Sequence, residues 1–134
     1  MSQLTVFLAK LIGLYCILLA LTMFVNKELM IAATGALSQN AAVLVLSGVF
    51  ALFGGLAIVL AHNVWSGGVL PIVITLVGWA SMLKGVTLLA IPADRQQAYV
   101  AAMHYADLAY PYAVVTLLIG VYLTYAGFTA TTRT

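Results

Sequence analysis

Charged residues are the rarest class in this chain: five Lys and Arg and three Asp and Glu among 134 residues. They make up 6% of the sequence, against roughly 25% of an average soluble domain, whereas hydrophobic residues make up 65%. A soluble core of this size cannot bury so much apolar surface. The net charge is +2 and the basic residues form no cluster, so the composition excludes a nucleic-acid-binding surface.

Cysteine and acidic residues are also scarce, and each scarcity excludes a class of function. The single cysteine, Cys16, has no partner for a disulfide within the chain. Glu28, Asp94 and Asp107 all lie outside the long apolar stretches, whereas proton-coupled pumps typically carry a carboxylate within a span. No Ser-His-Asp arrangement and no glycine-rich phosphate loop is visible. The sequence therefore predicts that the protein is not an enzyme and has no cofactor.

The two histidines are predicted not to form a metal site. His62 ends the second apolar stretch and His104 lies in the link before the fourth, so about a membrane thickness separates them. His104 and Asp107 have i,i+3 spacing, but two ligands are too few for a structural zinc site. We therefore interpret both histidines as surface residues and predict no bound metal.

Long apolar stretches are what the chain does contain. They cover residues 4–25, 41–61, 69–91 and 108–128. Each matches the roughly 20 residues that a helix needs to cross the hydrocarbon core of a bilayer, and Lys10 and Lys84 are the charged residues within them. The sequence thus predicts an all-α integral membrane protein, a bundle of four transmembrane helices that forms a single membrane domain over residues 1–134.

A cleavable signal sequence at residues 4–25 is the alternative, and it would leave three helices. The apolar run is longer than a typical h-region, and no basic segment precedes it. Asn26, Lys27 and Glu28 follow it in place of the small residues of a cleavage site. We therefore expect the first stretch to remain as a transmembrane helix.

The links between the stretches divide the chain into two predicted hairpins. Links 26–40 and 92–107 are long and more polar, whereas link 62–68 is short. We assign the first and second transmembrane helices to one hairpin, and the third and fourth to the other. A short interfacial helix is predicted in each long link, at 28–39 and after Pro92 at 93–107.

An internal repeat supports this division. At an offset of 65 residues, residues 4–62 match residues 69–127 at 11 of 59 positions without a gap. Roughly 6 matches are expected by chance. The sequence therefore predicts a tandem repeat of two hairpins, with repeat 1 at about 4–62 and repeat 2 at about 69–127. Because each unit has two spans, the pseudo-two-fold axis would run along the membrane normal.

Small residues mark the predicted helix-packing faces. Ser47, Ala51 and Gly55 recur every four residues on the second transmembrane helix, and Gly78 and Gly85 lie on the third. Helices associate in lipid through such faces because their backbones can approach closely there. We expect the second and third helices to make the tight contacts of the bundle, either within one chain or in a dimer.

Lys84 is the candidate functional residue, because an ionisable group within a span is costly and by default suggests function. It lies seven residues before Ile91, or roughly 10 Å from the end of the span. Ser81, one turn away, and Asp107, at the start of the fourth helix, are its predicted partners in an anion site or ion pair. Alternatively, the lysine stem snorkels to the interface and Asp107 caps the fourth helix.

Aromatic residues near the span ends are predicted to be interfacial anchors, since amphipathic rings collect at the level of the lipid headgroups. They are Trp65, Tyr110, Tyr112, Tyr122 and Tyr125. The alternative turns Tyr15, Tyr122 and Tyr125 inward around a ligand.

Orientation rests on few charges. Lys27 and Arg95 lie in the two long links, and the positive-inside rule therefore favours a cytoplasmic location for links 26–40 and 92–107. We expect the protein in a cytoplasmic (inner) membrane.

Three functional classes fit a small four-span protein with little buried polarity. The sequence favours an accessory or structural subunit that packs against other membrane helices. The alternatives are a homo-oligomeric channel or transporter with Lys84 lining an anion-favouring path, and a binder of an apolar ligand such as a lipid, quinone or pigment. The expected partners are the lipid bilayer and either a second copy or another membrane protein, with no nucleic acid.

Overall fold

The chain folds into helices. The computed structural model describes residues 2–102 and 107–130, apart from the side chains of residues 37, 38, 93, 97 and 100. The helices in these ranges are α1 (Gln3–Val25), α2 (Lys27–Gln39), α3 (Ala41–Ala61), α4 (Val69–Ala90), α5 (Ala93–Ala102) and α6 (Ala109–Thr129). No strand occurs in the described part of the chain.

Four of these helices, α1, α3, α4 and α6, are long and apolar enough to cross a membrane. Their ends fall within one residue of the predicted stretches, so the prediction of four long apolar helices is confirmed. Large apolar side chains point outward: Leu60, Phe53 and Phe50 are 78%, 73% and 68% exposed. So much exposed apolar surface is typical of a protein that faces lipid.

Local chemistry sets several helix ends. Ser2 and Asn40 cap α1 and α3, because their side-chain oxygens accept hydrogen bonds from backbone N–H groups of the first turn. Gly67 and Gly68 have φ angles of 90° and 123°, which favour glycine, and they make the turn into α4. The two long links form α2 and α5, while the predicted extension of the second interfacial helix through 103–106 lies outside the described residues.

The long helices form two antiparallel pairs, α1 with α6 and α3 with α4. The pairs meet through the N-terminal halves of α1 and α4, where Leu8, Ile12, Leu70 and Ile74 are buried in one cluster. We call this end face A. We call the opposite end, where α2 contacts α5, face B.

This pairing corrects the predicted hairpins. The main partner of α1 is α6 rather than α3, and the main partner of α4 is α3 rather than α6, so neither predicted hairpin is a packing unit. Link length is one physical reason, because the short link 62–68 keeps α3 beside α4. Links 26–40 and 92–107 instead contain helices of their own between the long helices that they join.

Glycines allow the backbones within each pair to touch. A Cβ atom at Gly55 would lie 2.8 Å from the carbonyl oxygen of Gly78, and one at Gly120 would lie 3.0 Å from the carbonyl oxygen of Gly13. Such distances are too short for any side chain without a shift of backbone. The α3–α4 pair has a close backbone approach at Gly55 and Gly78, and the α1–α6 pair has one at Gly13 and Gly120.

Replacing Gly55 with Ala is expected to lower the free energy of unfolding by about 1–3 kcal/mol, because the added methyl group forces α3 and α4 apart. Gly54→Ala is the matched control, since nothing lies within 4 Å of a Cβ atom at Gly54. Alanine also favours the helix there. Reversible unfolding of both variants in the same micelles measures the difference, and equal stabilities would contradict the close backbone approach.

Candidate functional site

The three residues of the predicted Lys84 site have different surroundings in the structure. Lys84 is exposed on the outer surface of α4. The Ser81 hydroxyl donates a hydrogen bond to the carbonyl oxygen of Ala51 on α3 at 3.0 Å, so it serves the contact between the two helices. Asp107 is exposed, and Leu108 rather than Asp107 is the N-cap of α6. Both charged side chains therefore lie at the surface of the chain.

The predicted packing residues lie along the contact between α3 and α4. Gly55, Gly78 and Gly85 are buried there, and Ser47 is half-buried. Ala51 supplies the carbonyl oxygen that accepts the serine hydrogen bond. The glycine faces are thus occupied within one chain.

The five predicted anchors all lie at the surface. Trp65, Tyr110, Tyr112, Tyr122 and Tyr125 are between 37% and 70% exposed. Tyr15 is 64% exposed, so it does not turn inward with Tyr122 and Tyr125 to surround a ligand.

A buried polar cluster at face A is the feature that the sequence analysis missed. His62 is 2% exposed, so its interpretation as a surface residue was wrong. Its Nε2 atom lies 2.9 Å from the hydroxyl of Thr5 on α1, and its Nδ1 atom lies 3.4 Å from the hydroxyl of Thr75 on α4. We call Thr5, His62 and Thr75 the histidine clasp, because the imidazole joins the end of α3 to two other helices.

Thr75 also fixes the link that follows His62. Its fully buried hydroxyl accepts a hydrogen bond from the Val64 N–H at 3.1 Å. The carbonyl oxygens of Pro71, Val64 and His62 lie 2.9, 3.0 and 3.1 Å from the same oxygen. A hydroxyl has one proton and donates to one acceptor at a time. Whichever of the three carbonyl oxygens accepts that proton, the Thr75 hydroxyl forms its hydrogen bond within the fold.

Asn63 ties the same link to two tryptophans. Its side-chain oxygen accepts hydrogen bonds from the indole N–H of Trp65 at 2.7 Å and from that of Trp79 at 3.4 Å. The Trp65 ring is thereby oriented at face A, next to the histidine clasp.

The sequence contained a usable signal for the histidine clasp. Thr5, His62 and Thr75 all fall within about two helical turns of the same membrane face.

An open cavity lies at face B, between the end of α1 and the starts of α2 and α6. Its volume is about 560 Å³, and it is lined by residues 24–28, Ile31 and Tyr110. The Lys27 ammonium lies 4.1 Å from the centroid of the Tyr110 ring, in cation–π geometry. The Phe24 ring stacks on Tyr110 with a centroid distance of 6.1 Å. We call this space the face B cavity.

The described ranges 2–102 and 107–130 contain no group of three or more His, Cys, Asp or Glu side chains placed to hold a metal ion. The predicted spacing of His104 with Asp107 is not tested, because His104 lies outside the described residues.

Family models, curated proteins and solved structures were compared with the chain, and none matches. What the molecule does must therefore be inferred from its own geometry.

Thr75→Val is expected to lower the free energy of unfolding by about 1–3 kcal/mol, because it leaves buried partners of the hydroxyl unsatisfied. Thr87→Val is the matched control on the same helix. The Thr87 hydroxyl donates to the Leu83 carbonyl, 2.7 Å away within α4, and this bond ties no second element. We expect the control to change stability by less than about 0.5 kcal/mol. If thermal unfolding in micelles shows equal losses, the clasp does not hold the helices together.

Proposed function

We propose that this chain is a small integral membrane protein that acts as an accessory or structural subunit and packs against other membrane helices. One observation carries the proposal: the side chains of the histidine clasp and of Ser81 bind other parts of the same fold. Thr5 and Thr75 bind His62, and Ser81 binds the Ala51 carbonyl. A transport path needs polar groups that face an ion or substrate, and these groups are already engaged. A helical scaffold needs only that its own helices hold together.

The exposed position of Lys84 supports the same proposal. Its stem starts roughly 10 Å from the end of the span, a distance that a lysine side chain largely covers by snorkelling. A path within one chain would require the ammonium to point between the helices, whereas Lys84 is exposed. We infer that Lys84 reaches the headgroup level at face B.

We also infer that the chain is a tandem repeat in which the two units share both helix pairs. The 65-residue offset relates α1 to α4, α2 to α5 and α3 to α6. The same offset also relates contacts between the helices. A Cβ atom at Gly120 would meet the backbone of Ile17. Likewise, a Cβ atom at Gly55 would meet the backbone of Met82. Gly120 and Ile17 correspond to Gly55 and Met82 under the same offset.

Further contacts obey this relation. Gly13 lies against Thr124, and the equivalent Gly78 lies against Val59. Because sequence matching alone does not require equivalent contacts, this agreement supports duplication of a two-span unit. Each helix pair then takes one helix from each unit, which explains why the pairs differ from the hairpins.

Lys84→Met is expected to leave stability unchanged or slightly higher, because the substitution removes a charge from an apolar surface. Lys10→Met, on α1, is the control for loss of one lysine from a span. Unfolding in micelles and chloride efflux from proteoliposomes are measured for both. Chloride efflux that requires Lys84 would overturn the scaffold proposal in favour of a channel.

Native mass spectrometry of the protein, extracted gently from its own membrane, tests the function directly. We expect a complex of this chain with a different membrane protein in a fixed ratio. A discrete oligomer of this chain alone would contradict the proposal and favour a channel. A monomer that carries only a defined small molecule would contradict it and favour a ligand binder.

A further inference from the structure

The face B cavity lies at the depth where lipid headgroups would be. Its walls come from the last residues of α1 and the first residues of α2 and α6. Because α1 and α6 are long enough to cross a membrane, their ends at face B would lie at one interface. The location therefore follows from the membrane insertion that the proposed function assumes.

The charges of the cavity are balanced. Lys27 and Glu28 are the charged residues that line it, and they are neighbours at the start of α2. A site with one cation and one anion complements a zwitterion better than a ligand with a net charge. The volume of about 560 Å³ is within the usual range of small-molecule sites.

The aromatic wall holds the lysine. Lys27 is half-buried, and its ammonium rests over the Tyr110 ring at 4.1 Å, while the Phe24 ring stacks on the same Tyr110 ring. An ammonium has three N–H donors, and contact with one ring face leaves donors for a phosphate. Phe24 and Ile31 add apolar surface beside the charges, which suits the glycerol and first acyl carbons of a lipid.

The repeat does not reproduce this cavity. Under the 65-residue offset, Lys27 corresponds to Pro92, Glu28 to Ala93 and Tyr110 to Val45. The positions that the offset relates to these three residues therefore lack the cation, the carboxylate and the phenol ring. The face B cavity thus combines residues of both units, and its charges and phenol ring have no counterpart at the equivalent positions.

We propose that the face B cavity binds one zwitterionic phospholipid with a primary ammonium, its phosphate on Lys27 and its ammonium toward Glu28. The lipid would order the junction of α1, α2 and α6 in the membrane. This site goes beyond the scaffold function and depends only on the membrane insertion assumed there.

The test uses native mass spectrometry of the full chain in micelles, titrated with phosphatidylethanolamine, phosphatidylglycerol or phosphatidylcholine. Wild type is expected to retain one phosphatidylethanolamine under activation that removes the other two lipids. Lys27→Gln should weaken this retention about tenfold or more. Lys10→Gln is the matched control, because the Lys10 ammonium also lies over a ring, that of Phe128 at 4.6 Å, and Lys10 has no acidic residue next to it in the sequence. It should retain the lipid as wild type does.

Two further variants test the assigned roles. Glu28→Gln should remove the preference for phosphatidylethanolamine over phosphatidylglycerol. Tyr110→Phe, which keeps the ring face, should retain the lipid, whereas Tyr110→Leu should lose it. Circular dichroism and size-exclusion profiles that match wild type establish that each variant is folded.

Several outcomes would overturn the site. Equal retention of all three lipids, or equal loss in the Lys27 and Lys10 variants, would mean ordinary surface lipid. Displacement of the lipid by inorganic phosphate would mean a site for free anions.

Carbonate extraction of membranes separates these failures from failure of the proposed function. A chain that resists extraction but binds no lipid specifically overturns only this site, whereas an extracted chain overturns membrane insertion itself.

Discussion

Contact between backbones at glycine is the interaction on which the rest of the structure depends. In lipid, apolar side chains gain little free energy by leaving the solvent. Helices therefore associate where close packing and hydrogen bonds stabilise the contact. Gly13 with Gly120, and Gly55 with Gly78, bring the backbones of two helix pairs into contact. The large side chains then point outward, and Phe53 and Leu60 are among the most exposed. A smaller set of large apolar residues, among them Leu70 and Ile74, forms the buried cluster.

The two pairs need a second interaction to become one structure, and it lies at face A. Ile74 is fully buried in the cluster between α1 and α4, and the histidine clasp closes the same end with hydrogen bonds. Buried polar groups in such a site are costly unless each finds a partner. His62 is therefore better understood as a connection between helices than as a reactive group. Face B, where α2 and α5 meet, holds the cavity with Lys27 and Glu28.

The residue that the sequence singles out, Lys84, lies at the surface, whereas His62, which the sequence does not single out, lies in the core of face A. Lys84 stands out because it is charged within an apolar stretch, yet it is exposed. His62 ends a helix beside a short link, a position that normally reaches water, yet it is buried. The difference arises from partners distant in the chain. Thr5 is 57 residues away, and no local pattern connects the two.

The sequence by itself determined the four long helices, their ends to within one residue and the small residues on α3 and α4, because span length, hydropathy and residue size are local properties. The surface positions of the tyrosines followed from the same local reasoning. Tertiary structure alone decided that α1 pairs with α6, that His62 is buried, and that Lys27 meets Tyr110. Each of these depends on which distant backbone fits a given glycine face. Four apolar helices of similar length allow several pairings, and only the complementarity of their surfaces selects one.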